Sequence, residues 1–495
     1  MKKKVLFIQP FQFIKKKMFN DLPIWPVYLE NFLKSKIDNI ITEFTHLLVE
    51  SGGVLDYEIF TNSELINRCY SILDNVLSKL DFKIDSNTFI CISGTTSFHY
   101  LPTKFIAEYF QKFYPDTITI FGGGHASSSP YDFNYDKTPV DYVVMGEGEI
   151  PLYNLFKNGA KKQKIARIIE SDPIPDLNNL PNLDFSIISK YVRKFDHLSI
   201  SLSRGCPYNC YYCMERNLRK NSVEGWRVYS PERAVKETLS MINFGVENNI
   251  KVFGFQDPMF GLNKEWINKY LDLFEPNSNI DVLWIENRVD LLNENLLKKF
   301  IKKKIAQMHG LESCSKKMLK IMNKTSNPAD YLKKFNGLLE LYRKLDCYYS
   351  INLVFNHPGE TVQTYQETFN FLKNIVEKDT NNTVNFEIIF YHQFPGNRIY
   401  HGLDYYNKKY GTIIYFPEWW KEFSSLKLGA FCVKPSYELS LEKSINIYSD
   451  NRIELYKLQY KKREKRIFYE FIGNITTIEK QRKELLKFME VNKIK

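Results

Sequence analysis

Three closely spaced cysteines are the residues of this chain with the clearest capacity for chemistry. Cys206, Cys210 and Cys213 lie in the run Ser203-Arg-Gly-Cys-Pro-Tyr-Asn-Cys-Tyr-Tyr-Cys213. Three thiolates at this spacing can hold a cubic [4Fe–4S] cluster and leave its fourth iron without a protein ligand, whereas electron-transfer clusters normally have four cysteines. An open metal position allows a substrate or cofactor to bind the metal. We therefore predict that these cysteines are cluster ligands and catalytic residues.

Other uses of these cysteines fit the sequence less well. A zinc knuckle needs a fourth cysteine or histidine nearby, and the loop itself contains none. Disulfides belong to oxidising compartments, and the basic start of the chain is followed by an apolar stretch too short for a signal peptide. We expect a first β-strand there, a cytoplasmic location and reduced thiols. The remaining cysteines are typical of small buried residues; they are Cys69, Cys91, Cys314, Cys347 and Cys432.

The composition is that of a globular protein with several domains. The chain has 495 residues, 44% of them hydrophobic, which is enough for about two to four separate cores. No apolar run approaches the ~18 residues of a membrane span. The net charge of +11 is spread along the sequence. Its densest basic run, residues 457–466, predicts a solvated helix face rather than a nucleic-acid site.

Residues 1–160 alternate short apolar runs with helical stretches. We predict strands at 4–9, 55–60, 89–93, 117–121 and 142–145, and helices at 25–36, 63–80 and 102–113. Apolar strands separated by helices indicate a doubly wound parallel sheet of the Rossmann or flavodoxin-like type. Such sheets bind ligands beyond the carboxyl ends of their strands, and the run Gly122-Gly-Gly-His125 follows one of them. A cofactor-sized site is therefore expected in this domain.

The rest of the chain predicts a linker, a second α/β domain and a helical end. Residues 161–195 contain several prolines and little periodicity, which is typical of a linker. Six strands are predicted after it, at 197–203, 251–255, 282–287, 306–311, 349–355 and 385–391. With their helices they indicate a partial (β/α)6 TIM barrel over residues 196–404, with its site at the carboxyl ends of the strands. Residues 405–495 predict a mainly helical region that caps the substrate.

The ordered motifs resemble those of the B12-binding radical SAM enzymes, close to the class B radical SAM methyltransferases, over about residues 4–402. The cysteine loop matches the family signature throughout, including Tyr212 before the last cysteine. Five further segments are similar to family motifs of the two α/β domains: Leu22-Pro-Ile-Trp-Pro-Val-Tyr-Leu29, Phe121-Gly-Gly-Gly-His-Ala-Ser127, Val140-Asp-Tyr-Val-Val-Met-Gly-Glu-Gly-Glu149, Asn356-His-Pro-Gly-Glu-Thr361 and Phe394-Pro-Gly-Asn397. In Gln256-Asp-Pro-Met-Phe260 only Asp257 keeps the acidic pair of the family.

The resemblance implies two sets of binding residues. For S-adenosylmethionine (SAM) it implies Tyr212, Asp257, Arg288 and Glu312. For cobalamin it implies Thr95, Gly122, Gly123, Gly124, His125, Gly146 and Glu147. Structural alternatives stay open: loop packing for Tyr212, an ion pair for Glu312, solvation for Asp257, and pairing with Glu286 or Asp290 for Arg288. The motif D-x-H-x-x-G is absent, so no histidine from that motif binds cobalt, and His125 is expected at the corrin edge.

The same resemblance implies an activity. Family members cleave SAM to a 5′-deoxyadenosyl radical with an electron from a flavodoxin- or ferredoxin-like donor. With methylcobalamin, the resemblance implies methylation of an unactivated carbon in a small metabolite or peptide. A rearrangement, cyclisation or oxidation with the same cofactors is the second hypothesis. A corrinoid or iron–sulfur sensor without catalysis is the third.

Overall fold

A computed structural model describes residues 2–11, 22–52, 63–215, 226–381, 383–421, 432–460 and 475–494. Within these ranges no helix combines the length and the apolar character needed to cross a membrane. The chain groups into two compact units. The first contains residues 1–207, 214–257 and 273–281, and the second contains residues 208–213, 258–272 and 282–495.

The first sheet has six parallel strands. They are β1 (Lys3–Gln9), β2 (Ile40–His46), β3 (Thr88–Ser93), β4 (Ile118–Gly122), β5 (Tyr142–Met145) and β6 (Arg167–Glu170). Their order is β2-β1-β3-β4-β5-β6, and the pairs are parallel, with Phe7 opposite both Phe44 and Cys91. The order reverses between β1 and β3, the position where doubly wound sheets open a crevice.

Eight α-helices belong to this unit in the part of the chain that is described. They are α1 (Trp25–Lys36), α2 (Leu47–Glu50), α3 (Ser63–Leu77), α4 (Tyr100–Phe113), α5 (Gly124–Ser128), α6 (Glu149–Asn158), α7 (Ser189–Val192) and α8 (Pro231–Glu247). Local sequence sets several of their ends. Ser230 Oγ accepts from Arg233 N ahead of α8, whose first residue is a proline. Gly159, at φ +76°, ends α6 in the left-handed conformation that glycine adopts readily.

Two strands of this unit were not predicted from the sequence. The second strand is Ile40–His46, whereas the strand predicted at 55–60 lies outside the described residues. The stretch 161–195 is more than a linker, because its residues Arg167–Glu170 form the edge strand β6 beside β5.

The second sheet also has six strands. The remaining strands are β7 (His197–Ile200), β8 (Ser203–Arg204), β9 (Arg227–Val228), β10 (Val252–Phe255), β11 (Val282–Asn287), β12 (Ile305–Glu312), β13 (Tyr349–Phe355), β14 (Val384–Phe390), β15 (Ile413–Ile414) and β16 (Val433–Lys434). The sheet order is β14-β13-β12-β11-β10-β7, which follows the chain. Strands β8 and β9 form a short antiparallel pair, as do β15 and β16.

Nine further α-helices follow α8 in the part of the chain that the structure describes. They are α9 (Lys264–Leu273), α10 (Glu294–Lys302), α11 (Lys316–Ile321), α12 (Pro328–Leu345), α13 (Val362–Lys378), α14 (Arg398–His401), α15 (Leu403–Tyr410), α16 (Leu441–Tyr460) and α17 (Ile475–Val491). Phe355 of β13 stacks on Phe369 of α13 with ring centroids 4.3 Å apart. The alternate residues of β13 and β14 face the opposite, concave side, where Asn352, Val354, Asn385 and Glu387 are half-buried. The predicted fold class, a doubly wound sheet, a partial (β/α)6 barrel and a mainly helical end, is confirmed.

Candidate functional site

A cavity of about 540 Å³ opens at the carboxyl ends of the first sheet. It lies where the strand order reverses, because residues at or just after the ends of β1, β3, β4 and β5 line it. Predicted residues on its wall are Thr95, Gly122, Gly123, Gly146 and Glu147. The site is therefore the crevice that doubly wound sheets use for large cofactors.

Glycine is required in this wall for two different reasons. Gly123 has φ +94°, and a Cβ there would lie 2.8 Å from Gly94 O and from Ser93 Oγ. Gly122 has no atom within 4 Å of a Cβ position and faces open space. Because glycine has no side chain, this wall of the cavity stays flat. A broad, flat ligand with a polar rim, such as a corrinoid, fits a wall of this kind.

Gly124 and His125, which the resemblance assigned to cobalamin, are not among the residues that line the cavity. A Cβ on Gly124 would overlap the carbonyl oxygen of Thr95. His125 is fully buried, with Nδ1 2.9 Å from Ser97 Oγ and Nε2 3.2 Å from Asp132 Oδ2. The geometry therefore gives both residues a structural role behind the glycine turn.

Several aromatic and polar side chains of the wall escaped the sequence analysis. Trp25 Nε1 donates to Gln9 Oε1 at 2.9 Å, and both residues line the cavity. His46 also lines it, and burial lowers the pKa of His46 to about 3, so the ring is neutral. Its Nδ1 accepts from Val49 N at 3.4 Å, which assigns the ring proton to Nε2. A protonated nitrogen donates hydrogen bonds and does not bind a metal.

An arginine–glutamate network joins the cavity wall to the strand that precedes the first cysteine. Arg204 Nη1 lies 3.0 Å from Glu147 Oε2, and its Nη2 lies 2.6 Å from Glu149 Oε1. Arg227 also pairs with Glu147. Burial alone would raise the pKa of Glu147, but Arg204 and Arg227 outweigh it and lower that pKa to about 2. Both Arg204 and Glu147 line the cavity, and the network fixes them as ions.

The cysteine loop follows β8, and the eight cysteines, all within the described ranges, form no disulfide. Cys206 and Cys210 are half-buried and Cys213 is exposed. In the second unit, Tyr211 N donates to Met322 O at 2.9 Å and Asn323 Nδ2 donates to Asn209 O at 2.7 Å. Among the described residues no three His, Cys, Asp or Glu side chains are gathered around one metal-ion position. A cube of four irons spreads its thiolates more widely than a single ion does.

Next to the loop, the second unit places Tyr212 beside a buried ion pair. Lys324 Nζ lies 3.0 Å from Glu312 Oε1, and both side chains are less than a tenth exposed. Burial is the largest cause that raises the pKa of Tyr212. The Glu312 carboxylate and the thiols of Cys210 and Cys213 raise it further. Lys324 was missed in the sequence. Glu312 therefore forms the ion pair that the sequence analysis gave as its structural alternative. It also lies at the carboxyl end of β12, the end at which barrels of this kind bind ligands.

Asp257 and Arg288 have structural partners within the protein. Asp257 is 2% exposed, and its two carboxylate oxygens accept from Leu202 N at 2.7 Å and Ser203 Oγ at 2.6 Å. Arg288 Nε donates to Asp290 at 3.0 Å, and its guanidinium lies 3.9 Å from the Tyr208 ring centroid. These contacts support β8 and the cysteine loop, and the SAM contacts predicted for the two residues stay predictions.

Comparison with known proteins places this geometry among enzymes. Residues 200–372 match the sequence pattern of the Radical SAM superfamily. An uncharacterized methyltransferase of Pyrococcus horikoshii is 25% identical over 62% of this chain and 67% of its own length. The bacteriochlorophyllide d C-8(2)-methyltransferase of Chlorobaculum tepidum is 25% identical over 65% and 68%. An anaerobic magnesium-protoporphyrin IX monomethyl ester cyclase of Cereibacter sphaeroides is 23% identical over 52% of this chain, which spans only 44% of that protein.

Solved structures share the fold. The radical SAM methyltransferase TsrM of Kitasatospora setae, with cobalamin and a [4Fe–4S] cluster bound, has a TM-score of 0.56 at 15% identity over 81% of this chain and 77% of TsrM. The cobalamin-dependent SAM radical enzyme OxsB, with aqua-cobalamin bound, has a TM-score of 0.59 at 16% identity over 82% and 61%. The resemblance to B12-binding radical SAM enzymes is confirmed. A radical SAM domain implies a [4Fe–4S] cluster and SAM.

Proposed function

We propose that this chain is a cobalamin-dependent radical SAM enzyme that methylates an unactivated carbon of a small metabolite or peptide. The observation that supports it best is the combination of a three-cysteine loop, within a radical SAM domain, and a glycine-floored cavity on a doubly wound sheet. When bound, the cluster with SAM supplies a 5′-deoxyadenosyl radical, and the corrinoid supplies a methyl group.

The proposal assigns a task to each part of the chain. Residues 1–160 hold the corrinoid, with Thr95, Gly122, Gly123, Gly146 and Glu147 on the wall. Residues 161–195 connect it to the radical SAM core of residues 196–404, and residues 405–495 cap the substrate. A flavodoxin- or ferredoxin-like protein delivers the electron.

The residues of the chain bind and orient the cofactors, which carry the chemistry. Cys206, Cys210 and Cys213 bind three irons as thiolates. Tyr212 lies against the adenine, and the Glu312–Lys324 pair presents one negative and one positive group to the amino-acid end of SAM. Buried aromatic residues such as Trp419 and Trp420 limit access of water to a reactive radical.

A second activity is supported by a specific observation. Three of the similar proteins are anaerobic cyclases from different bacteria. Cyclisation, rearrangement or oxidation would use the same cluster and cavity without net methyl transfer. We retain it as the alternative reaction class.

Product analysis under anaerobic conditions separates the hypotheses. The full chain, reconstituted with iron, sulfide and hydroxocobalamin, is incubated with dithionite, methyl-deuterated SAM and a small-molecule extract of the source cells. Methylation yields 5′-deoxyadenosine, S-adenosylhomocysteine and a deuterium-labelled product in equal amounts. 5′-Deoxyadenosine without S-adenosylhomocysteine would reject methyl transfer in favour of the alternative. Absence of 5′-deoxyadenosine, together with a Cys210→Ala variant that behaves as the wild type, would reject the radical enzyme altogether.

A further inference from the structure

Two polar side chains stand together on the concave face of the second sheet. Asn352 of β13 is the register partner of Glu387 of β14, and both are half-buried. The neighbouring strand residues, such as Phe355, pack outward on α13. Because side chains alternate along a strand, Asn352 and Glu387 face the interior of the partial barrel.

Neither of these side chains is satisfied by the part of the chain that the structure describes. Asn352 Oδ1 is buried and accepts no hydrogen bond there. Among the described residues, no hydrogen bond or ion pair reaches the Glu387 carboxylate; the charged neighbour that affects it is Glu312, and burial followed by Glu312 raises the pKa of Glu387. Glu312 already has Lys324 as its counter-ion. A buried amide oxygen and a half-buried carboxylate without partners are costly unless a ligand provides donors.

The pair lies deeper in the barrel than the cysteine loop and next to the Glu312–Lys324 pair. Val354, two residues further along β13, packs with Tyr211 and Tyr212 of the cysteine loop. Two strand residues span about 6.6 Å, so Asn352 lies one layer deeper in the barrel than the loop. Gly310, the register partner of Asn352 on β12, has no side chain, and Glu312 Oε1 and Lys324 Nζ lie 2.7 and 3.0 Å from its Cβ position.

We propose that Asn352 and Glu387 bind a protonated amino group of the substrate, which makes the substrate a primary amine such as an amino acid, an amino sugar or a peptide with a free amine. An ammonium group has three donors and one positive charge. It satisfies the Asn352 oxygen and the Glu387 carboxylate together, whereas a hydroxyl group has only one donor. The inference rests on the proposed function, because it assigns the substrate class of the same enzyme.

Matched probes test the substrate class directly. A set of amino-acid methyl esters, each with a free ammonium, is compared with the N-acetylated forms of the same esters. Binding to the reconstituted full chain with SAM present is measured by ligand-observed NMR. We expect at least one ester to bind the wild type about tenfold more tightly than its acetylated form. Glu387→Gln and Asn352→Leu should each remove that preference, and Glu367→Gln, at an exposed position of α13, should keep it.

The outcomes against the inference are specific. Equal binding of free and acetylated esters to the wild type, or no binding of any ester, overturns it. A SAM dissociation constant that rises in Glu387→Gln while ester binding stays intact would assign the carboxylate to the cofactor instead. Formation of 5′-deoxyadenosine by the wild type is measured on the same samples. If SAM is cleaved while the esters fail to bind, the substrate inference fails and the proposed function stands.

Discussion

At the scale of single residues, the buried pair of Glu312 and Lys324 shows how one contact can serve both folding and ligand binding. Glu312 ends β12 in a left-handed conformation, with φ +71°. A Cβ on Gly310 would lie 2.7 Å from Glu312 Oε1 and 3.0 Å from Lys324 Nζ. The missing side chain of Gly310 therefore makes room for the pair, and the pair in turn stands beside Tyr212.

A mutant cycle separates the two roles. Glu312→Gln and Lys324→Met each leave one buried charge without its partner, and each should lower the free energy of unfolding by about 3–5 kcal/mol. The double variant should recover much of that loss, because no unpaired charge is left. If the pair binds SAM as proposed, affinity for SAM should nevertheless stay at least tenfold weaker in all three variants, since each lacks one or both of the proposed binding charges.

The two readouts are urea unfolding and equilibrium dialysis of SAM. Asp330→Asn with Lys334→Gln, an exposed ion pair of α12, is the control and should change neither. Wild-type SAM affinity in the double variant would show that the pair is only structural.

Protonation of Glu147 should be visible in the pH dependence of stability. Its pKa in the folded state is about 2, below the value near 4.5 expected when unfolded, so its contribution is complete above about pH 5 and is lost as the pH falls toward 2. Two and a half pH units correspond to about 3 kcal/mol. The stability difference between wild type and Glu147→Gln should therefore shrink as urea unfolding is repeated from pH 7 to pH 3.

Glu170→Gln, exposed on β6, serves as the reference for the general effect of acid. If the difference in the free energy of unfolding between wild type and Glu147→Gln stayed constant down to pH 3, the ion-pair explanation would be contradicted.

The residues that the sequence analysis missed share a physical reason. The cysteines were visible because a metal cluster imposes a short spacing on one loop. Lys324 meets Glu312 only because α11 and the residues after it return the chain to the end of β12, and Arg204 meets Glu147 across 57 positions of sequence. His125 looked accessible because it follows glycines, whereas Ser97 and Asp132 enclose its ring. Side-chain pairing over such distances depends on the three-dimensional fold.

At the scale of elements, the helices and strands that are long enough to show a repeating apolar pattern were predicted well. The helix Trp25–Lys36 and the strands Val282–Asn287 and Tyr349–Phe355 have the predicted bounds. Strand β2 was missed because Ile40–His46 mixes polar and apolar residues at the sheet edge. The four residues of β6 are too few for a periodic signal. Edge strands are half-solvated, so their sequences carry less apolar alternation.

The turn between β4 and α5 offers a test of these close contacts. Gly124→Ala places a methyl group on the carbonyl of Thr95, and overpacking of this kind should cost about 1–3 kcal/mol. Gly122→Ala adds the same methyl group to open space and should leave the free energy of unfolding within about 0.5 kcal/mol of the wild type. Thermal and urea unfolding measure both.

Gly337→Ala, inside α12 and free of neighbours at its Cβ position, should be neutral or slightly stabilising. If Gly122→Ala were as destabilising as Gly124→Ala, the assignment of Gly122 to an open cavity wall would be wrong.

At the scale of the whole molecule, the chain combines a cluster loop and a cofactor cavity that rest on different residues. The cavity is lined by Gly122, Gly123, Trp25, Gln9 and His46. The three cysteine thiols lie in the loop after β8. Arg204, on β8 and on the cavity wall, is two residues from Cys206. Each cofactor should therefore bind to its own set of residues, although the proposed reaction needs both cofactors.

Selective loading tests this division. Cys210→Ala should lose most of the iron and sulfide but keep the cobalamin content of the wild type. Gly122→Leu fills the cavity floor, so it should lose cobalamin and keep the cluster and its charge-transfer absorption. Metal analysis and visible spectra of anaerobically reconstituted protein measure both contents. Cys347→Ala and Gly337→Leu, which change a cysteine and a glycine away from the loop and the cavity, are the matched controls. Loss of both cofactors in either test variant, with controls fully loaded, would show that one cofactor needs the other for binding and would contradict separate sites.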